Sequence, residues 1–131
     1  MAVRLPQQNK VSLIGRLTRD PELRYTPKGQ AVCRFSVAIN RRYRDEGGTW
    51  KPETIYVPVI CWRDIAEQSQ RDLKKGLPVF VEGMLCNRSW ETKEGRKQVV
   101  LEVRARRVEL VGDRGVSTEN VTETVVSTVA G

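Results

Sequence analysis

The stretch Thr54-Ile55-Tyr56-Val57-Pro58-Val59-Ile60-Cys61-Trp62-Arg63-Asp64-Ile65-Ala66-Glu67 decides the fold, because its hydrophobic period changes partway along. Up to Trp62 the period is two. Ile55, Val57, Val59 and Cys61 mark a face to be buried, whereas Tyr56, Pro58, Ile60 and Trp62 share the opposite parity. Tyr56 and Trp62 should therefore project together from the other side of a strand. Pro58 lacks a backbone donor, which predicts an edge position or a bulge. From Asp64 the spacing becomes helical, with Ile65, Ala66, Ser69 and Leu73 on one side. Asp64 is the expected N-cap and Glu67 its capping-box partner. Lys74 and Lys75 suit the negative end of the helix dipole, and Gly76 suits a left-handed stop.

Upstream, Lys10 to Leu17 alternates as a strand until Asp20-Pro21-Glu22 interrupts it. Leu23-Arg24-Tyr25 resumes an extended path before the turn Thr26-Pro27-Lys28-Gly29. Ala31 to Tyr43 is the clearest strand, with Cys33, Phe35, Val37 and Ile39 facing inward and Arg34, Ser36, Ala38 and Asn40 outward. The polar, glycine-rich run Arg44 to Pro52 reads as a hairpin loop. Downstream, Pro78 to Asn87 is a strand carrying Val79, Val81, Gly83 and Leu85 on one face. After a turn at Glu94-Gly95-Arg96, a last strand presents Val99, Leu101, Val103 and Ala105 and ends at Val108 to Val111. Three strands, one helix and two strands, all half-buried, predict an all-β protein: a five-stranded OB-fold barrel with the helix between strands 3 and 4. A split α+β sandwich would need a second long helix, and the sequence offers none. Residues 1–112 form this domain. Residues 113–131, rich in Ser, Thr and Val and without aromatics, are expected to be a flexible, disordered tail, the alternative being a short strand over Thr124 to Val129.

The chain of 131 residues carries a net charge of +7. The tail contributes one Arg against Asp113, Glu119 and Glu123, so removing its −2 leaves +9 on the first 112 residues. Such a balance points to an anionic partner. Cys33, Cys61 and Cys86 are widely spaced, no CxxC occurs and histidine is absent, so the usual zinc ligand sets are excluded. Buried free thiols in a reducing cytosol are expected, with no cofactor. No run approaches the ~20 apolar residues of a membrane span, and the N-terminus lacks a signal-peptide core. The expectation is a soluble cytoplasmic protein.

Four rings sit at strand-like positions in basic or polar company: Tyr43 in Asn40-Arg41-Arg42-Tyr43-Arg44, Tyr56, Trp62 in Cys61-Trp62-Arg63, and Trp90 in Asn87-Arg88-Ser89-Trp90. Flat rings beside guanidinium groups suit an unpaired nucleic-acid strand, whose bases stack and whose phosphates need neutralising. Core packing is the competing use of such rings. The phosphate candidates are Lys10, Arg16, Arg34, Arg41, Arg42, Arg44, Lys74 and Arg88, against the alternative of a merely solvated surface. Arg104, Arg106 and Arg107 fit phosphate binding, a subunit interface or solvation equally. Asp20, Glu22 and Glu82 do not group for catalysis, no P-loop is present, and no Ser–His or Cys–His pair is possible without histidine. An enzyme is not expected.

The run Asn9-Lys10-Val11-Ser12-Leu13-Ile14-Gly15-Arg16-Leu17-Thr18-Arg19-Asp20-Pro21-Glu22-Leu23-Arg24-Tyr25 resembles the opening of bacterial-type single-stranded DNA-binding (SSB) proteins. The likeness continues through Phe35-Ser36-Val37-Ala38, Trp62-Arg63-Asp64-Ile65-Ala66-Glu67, Lys75-Gly76, Val79 to Gly83 and Arg88-Ser89-Trp90, and spans Asn9 to Val111. The resemblance implies an OB-fold, a homotetramer built as a pair of dimers, and sequence-tolerant protection of single-stranded DNA in replication, recombination and repair. It also implies that Tyr43, Tyr56, Trp62 and Trp90 stack on bases. Trp50 matches a variable part of the family and is a weaker candidate. Members that recruit replication and repair proteins end in an acidic tip closing with Ile-Pro-Phe, whereas this chain ends Ser127-Thr128-Val129-Ala130-Gly131. Tail-mediated docking is therefore not supported by this C-terminus. A mobile-element form, a shortened chain and docking through other surfaces all stay open. The rival readings are an OB-fold primosome-type adaptor and, from another class, a nuclease.

Overall fold

The structure is a computed structural model, and it describes residues 3–112. The tail expected over 113–131 lies outside the described residues. The elements are β1 (Val11–Leu17), β2 (Glu22–Tyr25), β3 (Ala31–Arg44), β4 (Trp50–Trp62), α1 (Arg63–Asp72), β5 (Pro78–Glu91) and β6 (Lys97–Leu110). The order in the sheet is β1-β5-β6-β4-β3-β2, and β1 closes the barrel by pairing a second time, with β3 through Arg16↔Ala38 and Leu17↔Val37. Five principal strands thus form the expected OB-fold barrel, β2 is a four-residue strand on the outer edge of β3, and α1 falls between the third and fourth principal strands.

The inward parity becomes the core. Cys33, Phe35, Val37, Val59, Cys61, Val79, Val81 and Val103 are all at most 2% exposed, and Ala66 and Leu73 of the α1 segment seal one end. Side chains this deeply buried are worth about 1.5–3 kcal/mol each relative to exposure. Gly83 is required by close approach. A Cβ there would lie 2.0 Å from the Arg104 carbonyl oxygen and 2.8 Å from the Ala105 Cα. The same point carries a bulge. Glu82 pairs with Arg107 and Gly83 with Ala105, leaving Arg106 unopposed. The extra residue resets the parity, so Val108 joins Ala105 and Val103 in the core while Arg106 and Arg107 both face solvent.

Pro58 sits where it costs no hydrogen bond. It opposes Ser36, whose carbonyl accepts the Thr18 N–H at 3.0 Å, so this is a pair across which β3 and β4 exchange none. Pairing of β4 with β6 begins only at Val59, so Pro58 also lies where the second edge of β4 is open.

Three expectations are corrected. Asp64 does not cap α1. Trp62 is the N-cap residue with no side-chain hydrogen bond, and Arg63 turns the chain through a left-handed φ of 59°, leaving Asp64 in the first turn. Gly76 does not stop the helix, which ends at Asp72. Gly76 (φ 88°) instead shapes the following loop, where its N–H donates to the Leu17 carbonyl at 2.8 Å. Ile55, Leu85, Val99 and Leu101, all of core parity, are 42%, 44%, 52% and 61% exposed. Their strands run past the end of the barrel, so the alternation continues where there is no core to receive it.

Cys33 and Cys61 are free, buried and directly opposed across β3 and β4. The hydrogen bond shared with Cys61, then burial, push the Cys33 thiol up. Cys86 is free but only half-buried. No helix among the described residues is long and apolar enough to cross a membrane.

Candidate nucleic-acid interface

The short parallel ladder between β4 and β6, Val59↔Val103 and Ile60↔Arg104, sets the geometry of the site. Because both strands begin at hairpin tips, the β3–β4 and β5–β6 hairpins leave the barrel from the same end. The outward parity of all four strands then forms one continuous surface. Ile60 opposes Arg34 on β3 and Arg104 on β6, and Arg104 opposes Met84 on β5.

Tyr56 and Trp62 share the outward face of β4, as strand parity predicts. Tyr56 is 66% exposed, and Trp62 is half-buried with the Arg104 guanidinium 5.5 Å from its ring centre. Trp90 lies on the outward parity of β5 beside Arg88, whose guanidinium is 5.5 Å from the ring centre. At such distances the positive group is held by the ring quadrupole. Tyr43 differs. It opposes Lys51, one residue out of step with the pair Arg44↔Trp50, so it lies on the other face of the hairpin, next to Arg41. None of the six Trp and Tyr side chains belongs to the buried core, whose only aromatics are Phe35 and Phe80.

The basic candidates separate by what already holds them. Arg34 donates to Glu102 at 2.8 Å, and that carboxylate is almost fully buried. Arg41 pairs with Glu53, and Lys10 approaches Glu82 at 3.9 Å. Arg16 donates to the Gly76 carbonyl at 3.0 Å from a position that opposes Ala38, itself opposite Tyr56. Arg42, Arg44 and Arg88 have no acidic partner within salt-bridge distance among the described residues, and all three lie on the ring-bearing face. Lys74 is in the loop after α1 and not on the strands that carry the rings. A shallow pocket of about 200 Å³ joins Arg34, Arg88, Ser36, Pro58 and Glu102 on this face with Arg19 of the loop after β1.

Residues 8–111 match the single-strand binding protein family. The chain belongs to that family. It is 42% identical over 112 residues to a single-stranded DNA-binding protein of Deinococcus radiodurans, covering 86% of this chain and 36% of that one. It is 42% identical over 103 residues to single-stranded DNA-binding protein A of Bacillus subtilis, covering 79% and 59%. Among solved structures it is similar to a Plasmodium falciparum SSB complex with ssDNA, with a TM-score of 0.73, 27% identity, and coverage of 82% of this chain and 97% of that one. The chain thus spans about a third to three fifths of the length of these curated relatives.

In this family member, two neighbourhoods are not visible in the sequence: Arg104 stands against Trp62, and Arg42 and Arg44 stand against Trp50. The Arg104–Trp62 contact needs the β4–β6 pairing, which no local pattern announces. Asn9 was likewise noted only within a longer run. Its side chain donates to the Leu85 carbonyl at 2.9 Å and accepts the Leu85 N–H at 2.8 Å, prolonging the β1–β5 edge. The acids set aside as non-catalytic have structural partners: Asp20 accepts the Lys75 N–H at 2.8 Å, and Glu22 pairs with Arg24.

Proposed function

We propose that this protein binds and protects single-stranded DNA without sequence specificity, in the cytoplasm, during replication, recombination and repair, as a stoichiometric binder rather than an enzyme. The observation that carries the reading is the outward row of Tyr56 and Trp62, on the same face as Arg42, Arg44 and Arg88, which have no acidic partner among the described residues. Tyr56, Trp62, Trp90 and Tyr43 stack on bases, at about 1–3 kcal/mol per ring removed. The arginines release counterions, each phosphate contact adding about −0.7 to the slope of affinity against salt. Neither interaction reads base edges, so one surface serves any sequence.

The assembly is a homotetramer. Leu85, Val99 and Leu101 form an exposed apolar row on one face of the β5–β6 hairpin, complementary in chemistry to a second copy of itself.

Titration with oligo-dT should quench the intrinsic tryptophan fluorescence, and Trp62→Ala or Trp90→Ala should weaken binding about 5- to 150-fold, the equivalent of one lost stack. Parent-like affinity in both variants at moderate salt would remove the stacking assignment. In sedimentation the 131-residue chain should run as a tetramer, and a stable monomer would contradict the apolar row as an interface.

A further inference from the structure

We propose that Trp50, with Arg42 and Arg44, forms a further stacking site for single-stranded DNA, and a stronger one than Tyr43 on the opposite face of the same hairpin. This rests on the ring-bearing face being the path of the strand. Trp50 opposes Arg44, and Pro52 opposes Arg42, so all four side chains lie on the face that continues into Tyr56 and Trp62. Trp50, Tyr56 and Trp62 recur every six residues along one strand, a repeat of about 20 Å at the usual rise. A strand following the outward face of β4 past Trp62 and Tyr56 therefore meets Trp50 next.

The two faces of the hairpin differ in what a polyanion finds there. On the Trp50 face, the guanidiniums of Arg42 and Arg44 stand 5.8 and 5.5 Å from the indole centre. Neither has an acidic partner among the described residues, and the neutral pair Thr54–Asn40, hydrogen-bonded at 2.9 Å, completes that surface. On the Tyr43 face, Arg41 is matched by Glu53 and Lys51 by Asp45 at 3.3 Å. One face offers two uncompensated positive charges, while the other offers none without breaking an ion pair. The rings differ in the same sense. Trp50 is 54% exposed, whereas Tyr43 is half-buried and smaller. A base stacked on the indole would have its neighbouring phosphates within reach of the two arginines that already orient the ring.

Binding of a fluorescein-labelled oligo-dT, followed by anisotropy at moderate salt, tests this with Trp50→Ala, Tyr43→Ala and Tyr56→Ala. Trp50→Ala should lose affinity about 5- to 150-fold, Trp50→Phe should recover most of it, and Tyr43→Ala should lose less than Trp50→Ala. In the double variant Trp62→Phe, Trp90→Phe, where Trp50 is the remaining tryptophan, oligo-dT should still quench the emission. Parent-like affinity of Trp50→Ala alongside a weakened Tyr56→Ala would overturn this site and leave the ring-face reading intact. Undiminished binding by both would overturn the ring-face reading itself. A larger loss for Tyr43→Ala than for Trp50→Ala would reverse the assignment of the two faces. Unchanged thermal melting of each variant, expected because none of these side chains belongs to the buried core, excludes unfolding as the cause.

Discussion

The barrel body and the two hairpins are built from the same strands, yet they answer to different constraints. In the body, β3 alternates strictly between buried and half-exposed residues from Ala31 to Ala38, and the inward residues are at most 4% exposed. In the β3–β4 hairpin the alternation persists, but neither face is buried, and the main difference between them is charge pairing. The buried contacts are therefore concentrated in one half of each long strand, and the proposed binding residues, Trp62 excepted, mostly in the other. Substitutions in the two halves should separate stability from affinity.

The largest effect is expected in the body. Gly83→Ala puts a methyl group onto the β6 backbone, which cannot move aside as a side chain would. Overpacking costs typically about 1–3 kcal/mol and occasionally more, and contact with backbone puts this variant at the upper end, so the melting temperature should fall sharply or the chain should fail to fold, as read by circular dichroism. A variant as stable as the parent would show that the bulge relaxes freely, and the contrast between body and hairpins would weaken. Next comes the boundary of the two regions. Arg34→Ala leaves the Glu102 carboxylate buried without its partner. Breaking a buried pair costs about 3–5 kcal/mol, and since Arg34 is itself partly solvated, about 2 kcal/mol is expected by chemical denaturation. A loss of DNA affinity without a loss of stability would instead assign Arg34 to phosphate. The smallest effect belongs to the hairpins. Arg88→Ala should leave the denaturation midpoint unchanged and make the salt slope for oligo-dT shallower by about 0.7. An unchanged slope would remove Arg88 from the phosphate contacts.

Much of the fold was legible because strand periodicity is local. The inward set of β3, the handover from β4 to α1, and the shared face of Tyr56 and Trp62 all follow from alternation along a single segment. The same local rule overreached at Ile55, Val99 and Leu101. Parity assigns a residue to a face, but only the length of the barrel decides whether that face has a core behind it. It also missed the bulge at Arg106, because an extra residue in one strand is defined by the strand opposite. The cap at Asp64 failed for a related reason. The chain must turn sharply out of the barrel wall, and Arg63 makes that turn in a left-handed conformation that no propensity favours.

For the candidate site, residue types and their neighbours were enough to point to stacking and to phosphate. They could not rank the arginines. Arg34, Arg41, Arg42 and Arg88 look alike in sequence, and what separates them is whether a carboxylate stands opposite. Glu53 stands opposite Arg41 through the hairpin register, and Glu102 reaches Arg34 from 68 residues away.

By itself, then, the sequence determined the strands, the helix and the inward face of the barrel, and it pointed to the kind of chemistry proposed for the outward rings, since each depends on the order of neighbours along the chain. Only the tertiary structure decided which rings on different strands share a surface, which charges already have partners and where the core stops. Those depend on register between strands far apart in sequence, and register is fixed by closing the barrel. Trp50 and Tyr43 illustrate the division: seven residues apart in the same hairpin, they were parted onto opposite faces by the pairing of Arg44 with Trp50.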